Sequence, residues 1–279
     1  MAPLRVPLTE PQFEIWLSAQ LGGEASCAYN ESLRVEFSGP LDAPALRAAL
    51  DDLYARHDAL RVRFEPSGEA MLIEPVLAAP ITEVDLSDAA DVGTAMAAIL
   101  AEQARIPFDL ITGPLVRAVL LRRGPEDHVL VLTTHHIICD GWSTNVMLRE
   151  LAALYEGRRG GQPAALPPAP SFALYAVAER TGAAAEADIA YWMERFATLP
   201  SPLELPSDRL RPTTKTFHGA TVRETIDGSL YRSVRAAGAR LRSTPFATLL
   251  AAFLVLMGRL ADQEEVVVGV PTAGQSFLS

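Results

Sequence analysis

Polar chemistry in this chain is concentrated in one short stretch. His135, His136, Asp140, Gly141, Trp142 and Ser143 follow an almost wholly apolar run at residues 128–134. A strand has to end where its side chains become this polar. Asp-Gly supplies the turn, and Ser143 is placed to cap the helix that follows. Neighbouring residues of an extended chain face opposite sides, so only one of the two histidines can face a given cleft. A neutral imidazole near pH 7 is suited to take a proton from an amine or a hydroxyl. The alternative is a pair of hydrogen-bonded core histidines beside a turn. Opposed neighbours make a poor metal chelate, and no helical i, i+4 pair accompanies them. The Gly-x-Ser-x-Gly elbow of a serine hydrolase is absent. Asp140 lies four residues beyond His136, across the turn, and can return to brace the strand end. Nothing beside Cys139 lowers a thiol pKa, so it is expected to be inert.

These residues need a frame, and the patterning describes one. Residues 9–21 read as a helix entered through Pro11. Leu33, Val35 and Phe37 alternate with polar residues, a strand with one buried face. Asp42 caps a helix with Leu46, Leu50, Leu53 and Tyr54 on one side. Leu60, Val62 and Phe64 alternate with Arg61 and Arg63, which point away from the apolar face. Further strands are expected over 70–74, 81–86, 115–121 and 128–134, and helices over 90–106, 143–155, 171–179 and 183–196. After an irregular stretch at 200–212 the pattern restarts with a strand (220–226), a helix (229–241), a buried helix (246–257) and a strand (265–270). The fold class is α/β, a mixed β-sheet with packed helices. Residues 1–199 form an N-terminal lobe, 200–216 a linker, and 217–279 the beginning of a second, similar and incomplete lobe.

Composition narrows the function. A chain of 279 residues that is 49% hydrophobic can bury a large core, which excludes disorder. A formal charge of −10 argues against a general nucleic-acid binder. Lys215 is the sole lysine, and with the many alanines this points to a GC-rich bacterial gene. Cys27 and Cys139 give neither a disulfide framework nor a zinc quartet, and a reducing cytoplasm is the simplest reading. Prolines and glutamates in the first twenty residues break any signal-peptide core. Residues 246–257 are too short to span a bilayer, and Thr244 and Pro245 start them as a core helix, so no membrane partner is expected.

The stretch His135-His136-Ile137-Ile138-Cys139-Asp140-Gly141 resembles the His-His-x-x-x-Asp-Gly signature of nonribosomal peptide synthetase condensation domains. Other family-like stretches follow in the same order. Leu8-Thr9-Glu10-Pro11-Gln12 with Ile15-Trp16 is similar to the first motif, and Arg56-His57-Asp58-Ala59-Leu60-Arg61-Val62-Arg63-Phe64 to the second. Pro107-Phe108-Asp109-Leu110 with Gly113-Pro114-Leu115, Tyr175 in Phe172-Ala173-Leu174-Tyr175-Ala176, and Leu205-Pro206-Ser207-Asp208-Arg209 complete the series. The resemblance covers essentially the whole chain. It implies a chloramphenicol-acetyltransferase-like lobe and amide-bond formation between a donor acyl thioester and an acceptor aminoacyl group. Both substrates would ride on the phosphopantetheine of peptidyl or acyl carrier proteins in secondary metabolite biosynthesis, with no cofactor or metal bound by the domain itself. His136 would face the tunnel and assist the attack of the amine, with His135 mainly structural. Asp140 would pair with Arg61 or its neighbour Arg63, and Gly141 would keep the turn open beside the substrate. Those two arginines otherwise form a solvated strand face. Trp16, Trp142 and Tyr175 are read as packing residues.

The family carries two similar lobes, and this chain has the motifs of the first with only the opening of the second. It is read as a fragment of a longer reading frame, an excised piece or a degenerate remnant. The missing C-terminal lobe and downstream synthetase domains are its expected partners. Without that lobe, residues from about 220 onward are expected to leave apolar surface and a strand edge open, with no condensation activity. Two other functions fit: a coenzyme A-dependent O- or N-acyltransferase of the same superfamily, and an inactive lobe that docks carrier proteins.

Overall fold

The alternating strand and helix patterns appear, in a computed structural model of the protein, as two sheets with helices on both faces of the larger one. The structure describes residues 2–78, 80–181, 184–210 and 212–271, with only the backbone of 181, 184 and 185 and no side-chain account of 180. In chain order the first elements are β1 (Leu4–Pro7), α1 (Glu10–Ala19), α2 (Gly23–Cys27), β2 (Asn30–Ser38) and α3 (Ala43–Arg56). A 3₁₀ turn (Asp58–Arg61) leads into β3 (Val62–Phe64), β4 (Ala70–Ile73), β5 (Ile81–Asp85) and α4 (Val92–Arg105). Then come β6 (Val116–Gly124), β7 (Asp127–His135), α5 (Gly141–Gly160), α6 (Phe172–Thr181), α7 (Ala184–Arg195), α8 (Gly228–Arg240) and α9 (Pro245–Ala261). The chain divides into two compact units between residues 182 and 183.

In the first unit the larger sheet has the order β2-β7-β6-β5, antiparallel except for the parallel β5–β6 pair. The sheet is therefore mixed, as expected. β6 and β7 join through two residues, Pro125 and Glu126, and pair Val116 with Thr134 at the far end. β7 is apolar on both sides because both sides are covered. Leu130 and Leu132 join the core under α3 and α5, with Leu50, Leu53 and Met147. Val129 and Val131 face α4 with Val119 and Leu121. Each such aliphatic side chain, fully buried, stabilises the fold by about 1.5–3 kcal/mol before entropy is counted. The smaller sheet has the order β1-β4-β3, and Val62, Phe64 and Met71 from it enter the same core. Caps start the helices as the sequence dictates. Asp42 Oδ1 accepts from Ala45 N at 2.9 Å, and Thr9 and Gln12 form a reciprocal capping box.

Some expectations need correction. Leu60 and Arg61 belong to the 3₁₀ turn, so the strand begins only at Val62. The short β1 and α2 have no sequence pattern that announces them.

In the second unit, α8 and α9 pack together through a close approach at Gly238, where a Cβ would collide with the side chain of Thr248. Asp227 caps α8 and Thr244 caps α9. Residues 220–226 and 265–270 form no strand, because no ladder partner lies beside them. The expected burial of residues 246–257 also fails: α9 has no buried residue, and Phe246 is 61% exposed. Apolar surface in this part of the chain is thus open, as anticipated. Among the described residues no single helix is long and apolar enough to cross a membrane.

Candidate active site

The end of β7 is held from both sides. His135 N donates to Leu115 O at 3.0 Å, and His136 N donates to Tyr29 O at 2.8 Å, just ahead of β2. Strand alternation then separates the two rings. His135 follows Val129, Val131 and Thr133 into the α4 side and is completely buried. Phe108 meets its ring edge-on at 6.2 Å between centroids, and Tyr29 lies at 6.0 Å. Its Nδ1 accepts from Ile137 N at 3.2 Å, which places the proton of the neutral ring on Nε2, 3.4 Å from Ser26 Oγ. Burial, and then the neighbouring charge of His136, push its pKa down to about 4, against a smaller opposing contribution from Ser26. His135 is therefore neutral at physiological pH, with both ring nitrogens engaged inside the protein.

His136 follows Leu132 and Thr134 onto the other side. Its side chain is 38% exposed, yet Nδ1 itself is shut off from solvent. With Nδ1 turned inward, Nε2 is the ring nitrogen left to meet a substrate. Nδ1 lies 2.9 Å from Glu31 Oε1, close but off the line of a hydrogen bond. Glu31 sits opposite Thr134 in the β2–β7 ladder, diagonal to His136 on the same face. Sequence reasoning passes over Glu31; only the register of β2 against β7 identifies it.

Asp140 is the N-cap of α5. Its Oδ1 accepts from Ser143 N at 2.7 Å and from Ser143 Oγ at 2.6 Å. Burial works against the ionised carboxyl, but these bonds and the charge of His136 outweigh it and hold the pKa below the ordinary value. The cap is thus Asp140 rather than Ser143, one turn earlier than expected. The expected pairing of Asp140 with Arg61 or Arg63 is also not found. Arg61 donates from Nε to Tyr54 O at 3.1 Å and from Nη1 to Glu74 O, and Arg63 pairs with the Glu74 carboxylate. Arg61 thus ties the start of β3 to α3 and to the end of β4, and Arg63 pairs across to the same end of β4. At Gly141 an added Cβ would meet no atom within 4 Å, so the space before it is open.

Trp142 is 63% exposed rather than packed. With Tyr175, Phe172, Cys139 and His57 it lines a cleft of about 240 Å³. Trp16, by contrast, is buried and stacked on Phe13. Burial raises the Cys139 thiol pKa, which keeps it protonated.

Three further residues hold this region together, and of these Gln12 and Asp58 lie in the motif-like stretches while Glu150 does not stand out in the sequence. Gln12 Nε2 donates to Ile137 O at 3.0 Å, tying α1 to the loop after the histidines. Glu150 Oε2 accepts from Arg56 Nε at 2.7 Å and lies 2.8 Å from His57 Nε2, locking α5 to the end of α3. Asp58 accepts from Ser171 Oγ, Phe172 N and Ala173 N at 2.8, 2.9 and 3.2 Å, and so caps α6 from 113 residues away. Among the described residues no three His, Cys, Asp or Glu side chains gather as a metal site requires.

Comparison with known proteins points to one family. The family model of the condensation domain matches residues 4–276. Phosphinothricin tripeptide synthetase PhsC of Streptomyces viridochromogenes is 36% identical over 279 residues, covering 97% of this chain and 26% of its own length. Malpibaldin synthetase of Mortierella alpina is 32% identical over 284 residues, covering 97% of this chain and 5% of its own length. Among solved structures, the X-domain in its complex with OxyB from teicoplanin biosynthesis superposes with a TM-score of 0.77 at 29% identity. That match covers 93% of this chain and 58% of the X-domain chain. The chain therefore spans only a small part of the synthetases it matches.

Proposed function

The chain belongs to the condensation-domain family of nonribosomal peptide synthetases, with the chloramphenicol-acetyltransferase-like fold of that family, and we propose that it joins a donor acyl thioester to an acceptor amine. The observation that carries the reading is the partly exposed ring of His136, with Nδ1 turned inward, at the end of a strand pinned on both sides. In the proposed step the amine nitrogen attacks the thioester carbonyl carbon. The C–N bond forms, the C–S bond breaks, and His136 Nε2 takes the proton released by the amine and passes it to the departing sulfur. His135 acts as a neutral structural group behind it. Asp140 fixes the turn, and the open space at Gly141 admits substrate.

The substrates are read as acyl groups on the phosphopantetheine arms of carrier proteins, in the cytoplasm. Residues 217–279 are read as the opening of a second lobe whose remainder, with downstream synthetase domains, completes the tunnel. A second reading draws on the X-domain, which is solved in complex with OxyB. On that reading the domain only docks a partner protein.

Single-turnover amide formation between loaded carrier proteins separates the two. In the full-length polypeptide His136→Ala is expected to lower the rate by about 10²-fold or more, the scale of a lost general acid–base group. A variant as fast as the wild type removes His136 from the chemistry. No product from the wild type favours docking alone.

A further inference from the structure

We propose that Glu31 is a positioning residue for His136: its carboxylate holds the proton of the neutral imidazole on Nδ1 and so leaves the Nε2 lone pair to meet the substrate. The inference rests on the reading of His136 as the base and names the group that makes it one. A neutral imidazole has one N–H and one lone pair, and the base must present the lone pair to the amine. Nδ1 has no solvent access and no aligned partner, and Glu31 Oε1 stands 2.9 Å away. An ionised carboxylate can only accept, so the proton belongs on Nδ1 when the two meet.

Glu31 is well placed for this. The β2–β7 register sets it opposite Thr134, two pairs along from His136 and Tyr29 and so on the same face. Diagonal cross-strand neighbours of this kind stand about 7–8 Å apart, within reach of a glutamate. The start of β2 is fixed by Asn30 Nδ2, which donates to Ala104 O at 3.0 Å and Ile106 O at 2.9 Å. Asp140, the carboxylate nearest in sequence, does not serve. Its Oδ1 is filled by the amide and hydroxyl of Ser143, and among the described residues it forms no ion pair with His136.

The test is nitrogen-15 NMR of the His136 ring in the 279-residue chain, which reads the tautomer without requiring turnover. The wild type is expected to show a pyrrole-like Nδ1 and a pyridine-like Nε2 when neutral. Glu31→Val, which suits a strand and removes the acceptor, should shift the tautomer population about tenfold or more toward Nε2–H, the scale of one charge-assisted hydrogen bond. Glu31→Gln keeps an acceptor oxygen and should retain the wild-type tautomer. Amide spectra confirm that each variant is folded. An unchanged tautomer in Glu31→Val overturns the proposal. In the full-length polypeptide Glu31→Val should also lower kcat about tenfold with little change in KM. A shifted tautomer with an unchanged condensation rate overturns the general-base reading of His136 and leaves the tautomer lock standing.

Discussion

The Asp140 carboxylate closes on Ser143 rather than on an arginine: Oδ1 receives the Ser143 amide at 2.7 Å and its hydroxyl at 2.6 Å. This makes Asp140 a helix cap. Had it neutralised a buried guanidinium, its loss would have cost about 3–5 kcal/mol. As a cap at a partly exposed helix start, Asp140→Ala is expected to cost about 0.5–2 kcal/mol and to leave the protein soluble. Asp140→Asn, which can also cap, should lose less. Denaturant titration of both variants checks this. A loss above about 4 kcal/mol with aggregation would show that a buried cation depends on Asp140 after all.

His135 gives the fold a pH dependence of known sign. Its folded pKa of about 4 lies below the ordinary 6.5, so the unfolded ring binds a proton first as pH falls. The stability due to its burial as a neutral ring is complete above about pH 6.5. It drains as pH falls toward about 4 and levels off below that. The total is about 3 kcal/mol, because a tenfold difference in proton affinity between the folded and unfolded ring is worth about 1.4 kcal/mol. His135→Gln removes the titration, so the difference in stability between wild type and variant should change with pH between 6.5 and 4. Parallel stability curves across that window would contradict the assignment.

Much of this is legible in the sequence, for a physical reason that differs from place to place. The β6–β7 hairpin announces itself because both faces of β7 are buried and its apolar run is unbroken. The opposed directions of His135 and His136 follow from strand alternation alone. Asp42, Thr244 and Asp227 cap helices because a cap is a local interaction. The partner of Asp140 is not legible, because a motif gives residue types and not which charges meet. Arg61 and Arg63 are free to bond to Tyr54 and Glu74 near their own strand, and do. Glu31 is invisible without the strand register. Residues 220–226 and 265–270 have strand patterns, but a strand forms only against a neighbour.

Asp58 illustrates a cap that no local pattern reveals. It receives two backbone amides and a hydroxyl at the start of α6. Asp58→Ala should release that end of α6, where Ala173 and Ala176 are buried. The expected cost is about 2–3 kcal/mol, a charge-assisted cap with several donors. Asp58→Asn should recover part of it. Thermal unfolding, with limited proteolysis of residues 165–179, reads both. An unchanged melting temperature and protease pattern in Asp58→Ala would show that Ser171 alone suffices as the cap.

Gly141 separates a structural requirement from a functional one. Its Cβ position is empty, and it is the first residue of α5. No protein atom therefore demands glycine, and alanine is the better helix former. Gly141→Ala should fold with an unchanged or slightly higher melting temperature. If substrate occupies the space, the added methyl displaces it from His136. Misplacement of about 1 Å can cost up to 10²-fold, so condensation in the full-length polypeptide should fall by about tenfold or more. Melting temperature and single-turnover rate, measured on the same preparation, decide the matter. A stable Gly141→Ala variant with the wild-type rate would mean that the reacting groups approach His136 from another side, along the face that carries Glu31 and Thr134.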